Sequence, residues 1–237
     1  MGHKSAFAAA SRDRAPTVPE NRRERHRTET RDRIYRAALQ LFAERGYLET
    51  TVEDITNAAD VGKGTFFNYF PTKEHVLASF GDERITAIQN ALAHARKKKG
   101  PVLPVIKSLV TDLAGQSSAS AALLRSIYAA HASCAPVRAE MHKRVEAARS
   151  FLTQMFVLAQ ERGEVRRDVS AADLGRLMQL VFHGVTLVWA LNPDSGLLQN
   201  TEFVWELLSP ALRAGGRPRL GHKKHANGTF NDSTSID

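Results

Sequence analysis

Apolar residues recur along this chain at helical spacing, and β-branched residues nowhere gather into an alternating run, so the pattern predicts helices and no strands. A first helix begins near Arg23. Within it Ile34, Ala38, Leu41 and Phe42 fall at i, i+4, i+7 and i+8, and Gly46 stops it. Thr51 caps a short second helix with Val52, Ile55 and Ala59 on its inner face and Asp54 in the place of a capping-box Glu. Val61 and Gly62 form a turn, and a third, two-turn helix over 63–70 is closed by Pro71. Thr72 opens a fourth helix that reaches Lys97, Lys98 and Lys99, cations suited to the negative end of a helix dipole, before Gly100 and Pro101. Five more helices are expected over about 102–114, 119–131, 137–162, 171–191 and 199–213, with Ser170 capping the fourth of these five and Asn192-Pro193 ending it.

About nine helices and no strand amount to an all-α fold, a three-helix N-terminal head followed by a helical body. The division expected is a flexible basic arm over 1–22, a helix-turn-helix head over 23–72, a helical body over 73–213 and a disordered tail over 214–237, rich in Gly, Lys, Asn and Ser.

Composition narrows the class. The chain has 237 residues, 43% of them hydrophobic, enough to bury a core. A single cysteine, Cys134, excludes an internal disulfide and a Cys-based zinc site and fits a reducing cytosol. No N-terminal apolar run suits a signal peptide. The greasiest stretch, 177–191, is interrupted by Gln179 and His183 and falls short of the ~18 residues of a membrane span. A cytoplasmic protein with no membrane partner is therefore expected. The net charge of +8 is spread out: residues 1–75 carry 13 Lys and Arg against 11 Asp and Glu. Arg22, Arg23, Arg25, Arg27, Arg31 and Arg33 form the one local cluster, suited to nucleic acid or an acidic lipid surface, or simply a solvated arm.

Two short helices meeting at a tight Gly-containing turn over 51–70 have the layout of a helix-turn-helix, whose second helix enters the major groove. Phe66 and Phe70, four apart, share one face of the third helix, and that face can bury against Ile34, Ala38, Leu41 and Ile55. Lys63, Thr65, Phe67 and Asn68 fall on the opposite face. Gly62 and Gly64 leave the helix start bare, so a phosphate or base edge can approach. A plain helical hairpin accounts for Phe66 and Phe70 but not for an aromatic, Phe67, on the outward face beside Lys63 and Asn68.

The runs RIYRAALQLFAERGY at 33–47, TTVEDI at 50–55 and VGKGTFFNYFPTKE at 61–74 resemble the tetracycline-repressor-like (TetR) family of bacterial regulators over about residues 30–80. The resemblance implies an all-helical homodimer with a DNA head and a ligand-binding, dimer-forming body. It implies a pseudo-palindromic duplex DNA operator and a small-molecule effector as partners. Carried over by position, Thr51 and Lys73 match phosphate contacts, Gly62, Lys63, Gly64 and Thr65 the start of the recognition helix, and Phe67, Asn68 and Tyr69 the positions that touch backbone or bases. Position 67 is commonly Tyr in the family. Phe67 lacks that hydroxyl but can still pack on a sugar or a thymine methyl.

In the body, Tyr128, His131, Phe151, Met155 and His183, with Cys134, are candidates for lining an effector cavity, although for any one of them an ordinary core or interface place is the favoured reading. Phe182 and Trp189 with Phe203 and Leu207 can close a four-helix dimer interface or an internal core. No phosphate loop, G-x-S-x-G or His-Glu-x-x-His motif occurs, so no enzymatic activity, cofactor or metal is expected. His222 and His225 read as a chance pair. The alternative from another class is a helical small-molecule-binding protein or enzyme with a non-functional head, which the modest charge of residues 1–75 favours.

Overall fold

The computed structural model describes residues 22–215, with the side chain of Arg23 left aside. Among them lie nine α-helices: α1 (Arg22–Arg45), α2 (Val52–Ala58), α3 (Lys63–Tyr69), α4 (Lys73–Lys97), α5 (Leu103–Ser117), α6 (Ala121–Ser133), α7 (Ala135–Glu161), α8 (Ala171–Leu191) and α9 (Leu197–Leu212). No strand occurs among the described residues, so the all-α expectation holds. The expectations for 1–21 and 216–237, including most of the arm, most of the tail and His222 with His225, lie outside the described residues.

Ile34, Ala38 and Phe42 of α1, Ile55 of α2 and Phe66 and Phe70 of α3 are all essentially buried in one cluster. That cluster does not end at the head. It continues through Val76 and Leu77 of α4 into Leu124, Ile127 and Ala130 of α6. α1 packs along α6, and the Tyr47 N–H donates to Ser126 Oγ at 2.8 Å. The head is thus seated on α6 as well as continued by α4. A second cluster around Ile106, Leu152, Met155, Phe156 and Leu174 fills the body.

Two helix junctions are held by side chains distant in sequence. The last carbonyls of α4 are met by Arg162, which donates to Ala95 at 2.8 Å, Lys98 at 3.0 Å and Gly100. Lys97 stands in the last turn as expected, and one arginine from the end of α7 adds the direct hydrogen bonds to these carbonyls. The carboxylate of Glu164 accepts from the N–H groups of Val102 and Leu103 at 2.7–3.1 Å, an anion at the positive end of α5. Between α8 and α9 a 3-10 turn, Pro193–Ser195, brings Leu197 into the core, and α9 starts two residues earlier than its periodicity suggests. By length and composition α8 can cross a bilayer, at 21 residues and a mean hydropathy of 1.4, more so than the stretch 177–191 alone suggests. In the fold it lies against α6, α7 and α9, with Gln179 donating to the Val145 carbonyl at 2.7 Å.

Candidate functional site

The α2–α3 unit is built by local chemistry. Thr51 Oγ1 accepts from the Asp54 N–H at 3.1 Å, and the Asp54 carboxylate accepts from the Thr51 N–H at 2.8 Å, the reciprocal box foreseen from the sequence. The Thr51 hydroxyl also donates to Asp54 at 2.6 Å. These bonds hold the Asp54 carboxyl below its usual range. They also occupy most of what Thr51 can offer a phosphate. Asp60 takes a left-handed φ of 50°, a conformation that Asp tolerates better than most residues, and turns the chain from α2 to α3.

On α3 the inner rings Phe66 and Phe70 are buried, their centroids 5.9 Å apart. Phe67 stands edge-on to Phe66 at 5.4 Å and is 50% exposed. Lys63, Gly64 and Asn68 are exposed with it, while Thr65 and Tyr69 are half-buried. A Cβ added at Gly62 or Gly64 meets nothing within 4 Å, so internal packing does not require glycine at either place. Lys63 pairs with Glu53 of α2 at 2.9 Å, and both side chains lie in solvent, where such a pair contributes little and yields readily to a phosphate.

Lys73, expected at a phosphate contact, is engaged within the chain. Its ammonium donates to the carbonyls of Tyr47 at 2.8 Å and Thr50 at 2.7 Å and lies 4.2 Å from the centre of the Tyr47 ring. Tyr47 in turn donates its hydroxyl to Glu74 at 2.8 Å. Burial draws the Lys73 pKa down. Two of its three N–H bonds therefore lock the loop after α1 onto the start of α4, because the two carbonyls have no helical partner there.

The body holds a mostly apolar cavity of about 120 Å³ between α4, α5, α6, α7 and α8. Of the residues singled out from the sequence, Tyr128, His131 and His183 line it. Phe151 and Met155 do not: both pack into the second cluster, Met155 completely buried. Cys134 packs beside the first cluster, away from the cavity wall. Most polar lining groups are already partnered. The Tyr128 hydroxyl bonds Thr186 Oγ1 at 2.6 Å, His183 Nδ1 lies 2.8 Å from the Gln179 carbonyl, and Arg144 pairs with Asp82 and Glu140. Sequence reasoning missed Arg84, whose guanidinium stacks 4.0 Å over the Phe80 ring and donates to Ser117 Oγ. The signal was legible: Phe80, Arg84 and Ile88 fall at i, i+4 and i+8, a charge within an apolar stripe.

The family model for bacterial regulatory proteins of the tetR family matches residues 34–80. The HTH-type transcriptional repressor DhaR of Mycobacterium sp. (strain GP1) is 28% identical over 197 residues, 78% of this chain and 95% of the relative. The HTH-type transcriptional regulator TcmR of Streptomyces glaucescens is 48% identical over 73 residues, 31% of this chain and 30% of the relative. Among solved structures, Thermus thermophilus FadR, a TetR-family transcriptional repressor in complex with lauroyl-CoA, is 28% identical with a TM-score of 0.59, covering 84% of this chain and 99% of that one. The head over 34–80 is thus a TetR-family DNA-binding head, and the chain resembles ligand-responsive DNA-binding transcriptional regulators of that family along its whole helical course.

Proposed function

We propose that the protein is a cytoplasmic homodimeric repressor, without catalytic activity, that binds a pseudo-palindromic operator and is released by an apolar effector held in the body cavity. The observation that carries the reading is the outward face of α3. It exposes Phe67 with Lys63, Gly64 and Asn68 while Phe66 and Phe70 anchor its back. In this reading residues 23–72 are the head and 73–213 the body. Lys63, Thr65 and Asn68 face base edges, with Gly62 and Gly64 allowing close approach. Phe67 packs on sugar or thymine methyl, and Tyr69 and Thr51 approach phosphates from the flanks. Lys73 acts on DNA chiefly by holding the head in place.

The dimer is supported by the outer faces of α8 and α9. Leu180, Val188, Leu191, Phe203 and Leu207 are each 61–68% exposed, an apolar surface of the kind that marks an interaction site. Trp189, by contrast, is buried within the chain and donates to the Pro193 carbonyl at 3.1 Å, so it belongs to the internal core. Two-fold pairing through α8 and α9 places two heads for half-sites about 34–36 Å or more apart.

Release is supported by what two of the cavity helices, α4 and α6, do on their other sides. α4 accepts Arg31 on Ser79 at 2.9 Å and Tyr35 on Glu83 at 3.1 Å, and α6 carries α1 and the Ser126 bond. A ligand that binds better when α4 and α6 stand differently shifts the population away from the spacing of heads that fits DNA. The test is footprinting and anisotropy on the gene's own upstream region. Protection of a symmetric site, with affinity falling steeply as salt rises, is expected. Equal affinity for that region and for random duplex overturns the proposal.

A further inference from the structure

Within the effector cavity, two polar groups stand out as unmatched. The Arg84 guanidinium lies in a mostly apolar wall, with Phe80 beneath it and the Ser117 hydroxyl as its hydrogen-bond partner, whereas the other cation of the wall, Arg144, is paired with Asp82 and Glu140. Among the described residues it has no carboxylate in ion-pair range, although eight Lys and Arg side chains there do. The second group is His131 on α6, whose Nε2 is buried and has no hydrogen-bond partner, alone in this among the buried side-chain atoms described. Burial, reinforced by His183, holds that imidazole below its ordinary pKa, so it is neutral and able to share a hydrogen bond. No Asp or Glu lines the cavity.

A largely desolvated cation with no carboxylate in ion-pair range and a buried ring nitrogen without a partner are both costly in a folded chain. The two side chains come from α4 and α6, the helices that carry the head on their far sides. Both side chains line the same cavity, so an anionic head group on Arg84 supplies the missing counter-charge, and His131 offers a second hydrogen-bond partner on the facing helix. The apolar remainder of the wall calls for a hydrocarbon body.

We infer that the effector is an apolar molecule with one anionic head group, a carboxylate, which is held by Arg84 with His131 as its second partner. The inference rests on the proposed effector role of this cavity and adds the charge of the ligand and the residues that read it.

The experiment is calorimetric titration of the full-length protein with octanoate, 1-octanol, octylamine and octanoyl-CoA, together with operator anisotropy in the presence of each. Octanoate is expected to bind about tenfold or more tighter than 1-octanol, since a charge-assisted bond in an apolar site is lost with the alcohol. Octylamine is expected not to bind. In Arg84→Met, which keeps the volume of the stem and removes the buried charge, octanoate and 1-octanol are expected to bind alike. The series on the unaltered protein stands even if that variant folds poorly. Equal binding of octanoate and 1-octanol to the unaltered protein overturns the inference, as does the absence of heat with octanoate. Octanoyl-CoA binding tighter than octanoate, with an affinity that Arg84→Met leaves unchanged, overturns it too. Arg84-dependent octanoate binding that leaves the operator occupied supports the inference and counts against the release mechanism, so the two fail separately.

Discussion

Replacing Lys73 by Met decides between two roles for one cation. In the fold its ammonium holds the Tyr47 and Thr50 carbonyls at 2.8 and 2.7 Å and stacks over the Tyr47 ring. Hydrogen bonds from a charged donor contribute about 1.5–3 kcal/mol each, and desolvation of the half-buried ammonium takes back part of that sum. Met keeps the stem packed on the ring but leaves two carbonyls unbonded. The expected net loss is therefore about 1–3 kcal/mol, or roughly 2–4 °C of Tm per kcal/mol for a chain of this size. The assay pairs thermal melting with operator anisotropy across a salt series. As a brace, Lys73→Met lowers Tm and weakens operator binding while the slope of log K against log salt stays unchanged. As a direct phosphate contact, its loss cuts that slope by about 0.9 and leaves Tm untouched. An unaltered Tm with a reduced slope refutes the bracing argument.

Gly175→Ala places a Cβ 2.9 Å from Thr153 Oγ1 and 3.1 Å from its backbone nitrogen, so α7 and α8 must part. A loss of about 1–3 kcal/mol in denaturant titration is expected, and an unmoved midpoint contradicts it. His131 has a folded pKa depressed below 6.5, so the unfolded chain takes up its proton first. Its contribution to stability is present above the unfolded pKa and is lost as pH falls below about 6.5 toward the folded pKa. His131→Phe should flatten the stability profile in that window, and superimposable profiles for the two proteins count against the assignment. Leu207→Glu puts a charge into the exposed α9 face and should turn a dimer into a monomer in light scattering; an intact dimer removes that face from the interface.

How far the sequence disclosed this molecule depends on how local each cause is. Helices with their own caps and stops were legible: Thr51 with Asp54, Ser170 with Asp173, Gly46 after α1. The outward set on α3 was legible because Phe66 and Phe70 leave only one face for Phe67 and Asn68. What stayed hidden depended on partners far along the chain. Arg162 and Glu164 cap helix ends more than sixty residues away, and nothing near them announces it. The two carbonyls that hold Lys73 lie before α2, so a sequence position that suggests a phosphate contact conceals a brace. Phe151 and Met155 share a helix with cavity-lining residues, and only the packing of α7 shows that their face looks elsewhere. The seating of α1 on α6 was unreadable for the same reason and rests the head on two helices of the body, α4 and α6.

The central claim is that the exposed side of α3 reads duplex DNA. Asn68→Glu places a carboxylate on that side, at an exposed position where the fold has nothing to lose. Anisotropy of the operator duplex at fixed salt should show about tenfold weaker binding or worse, with Tm unchanged. Operator affinity equal to that of the unaltered protein contradicts the account.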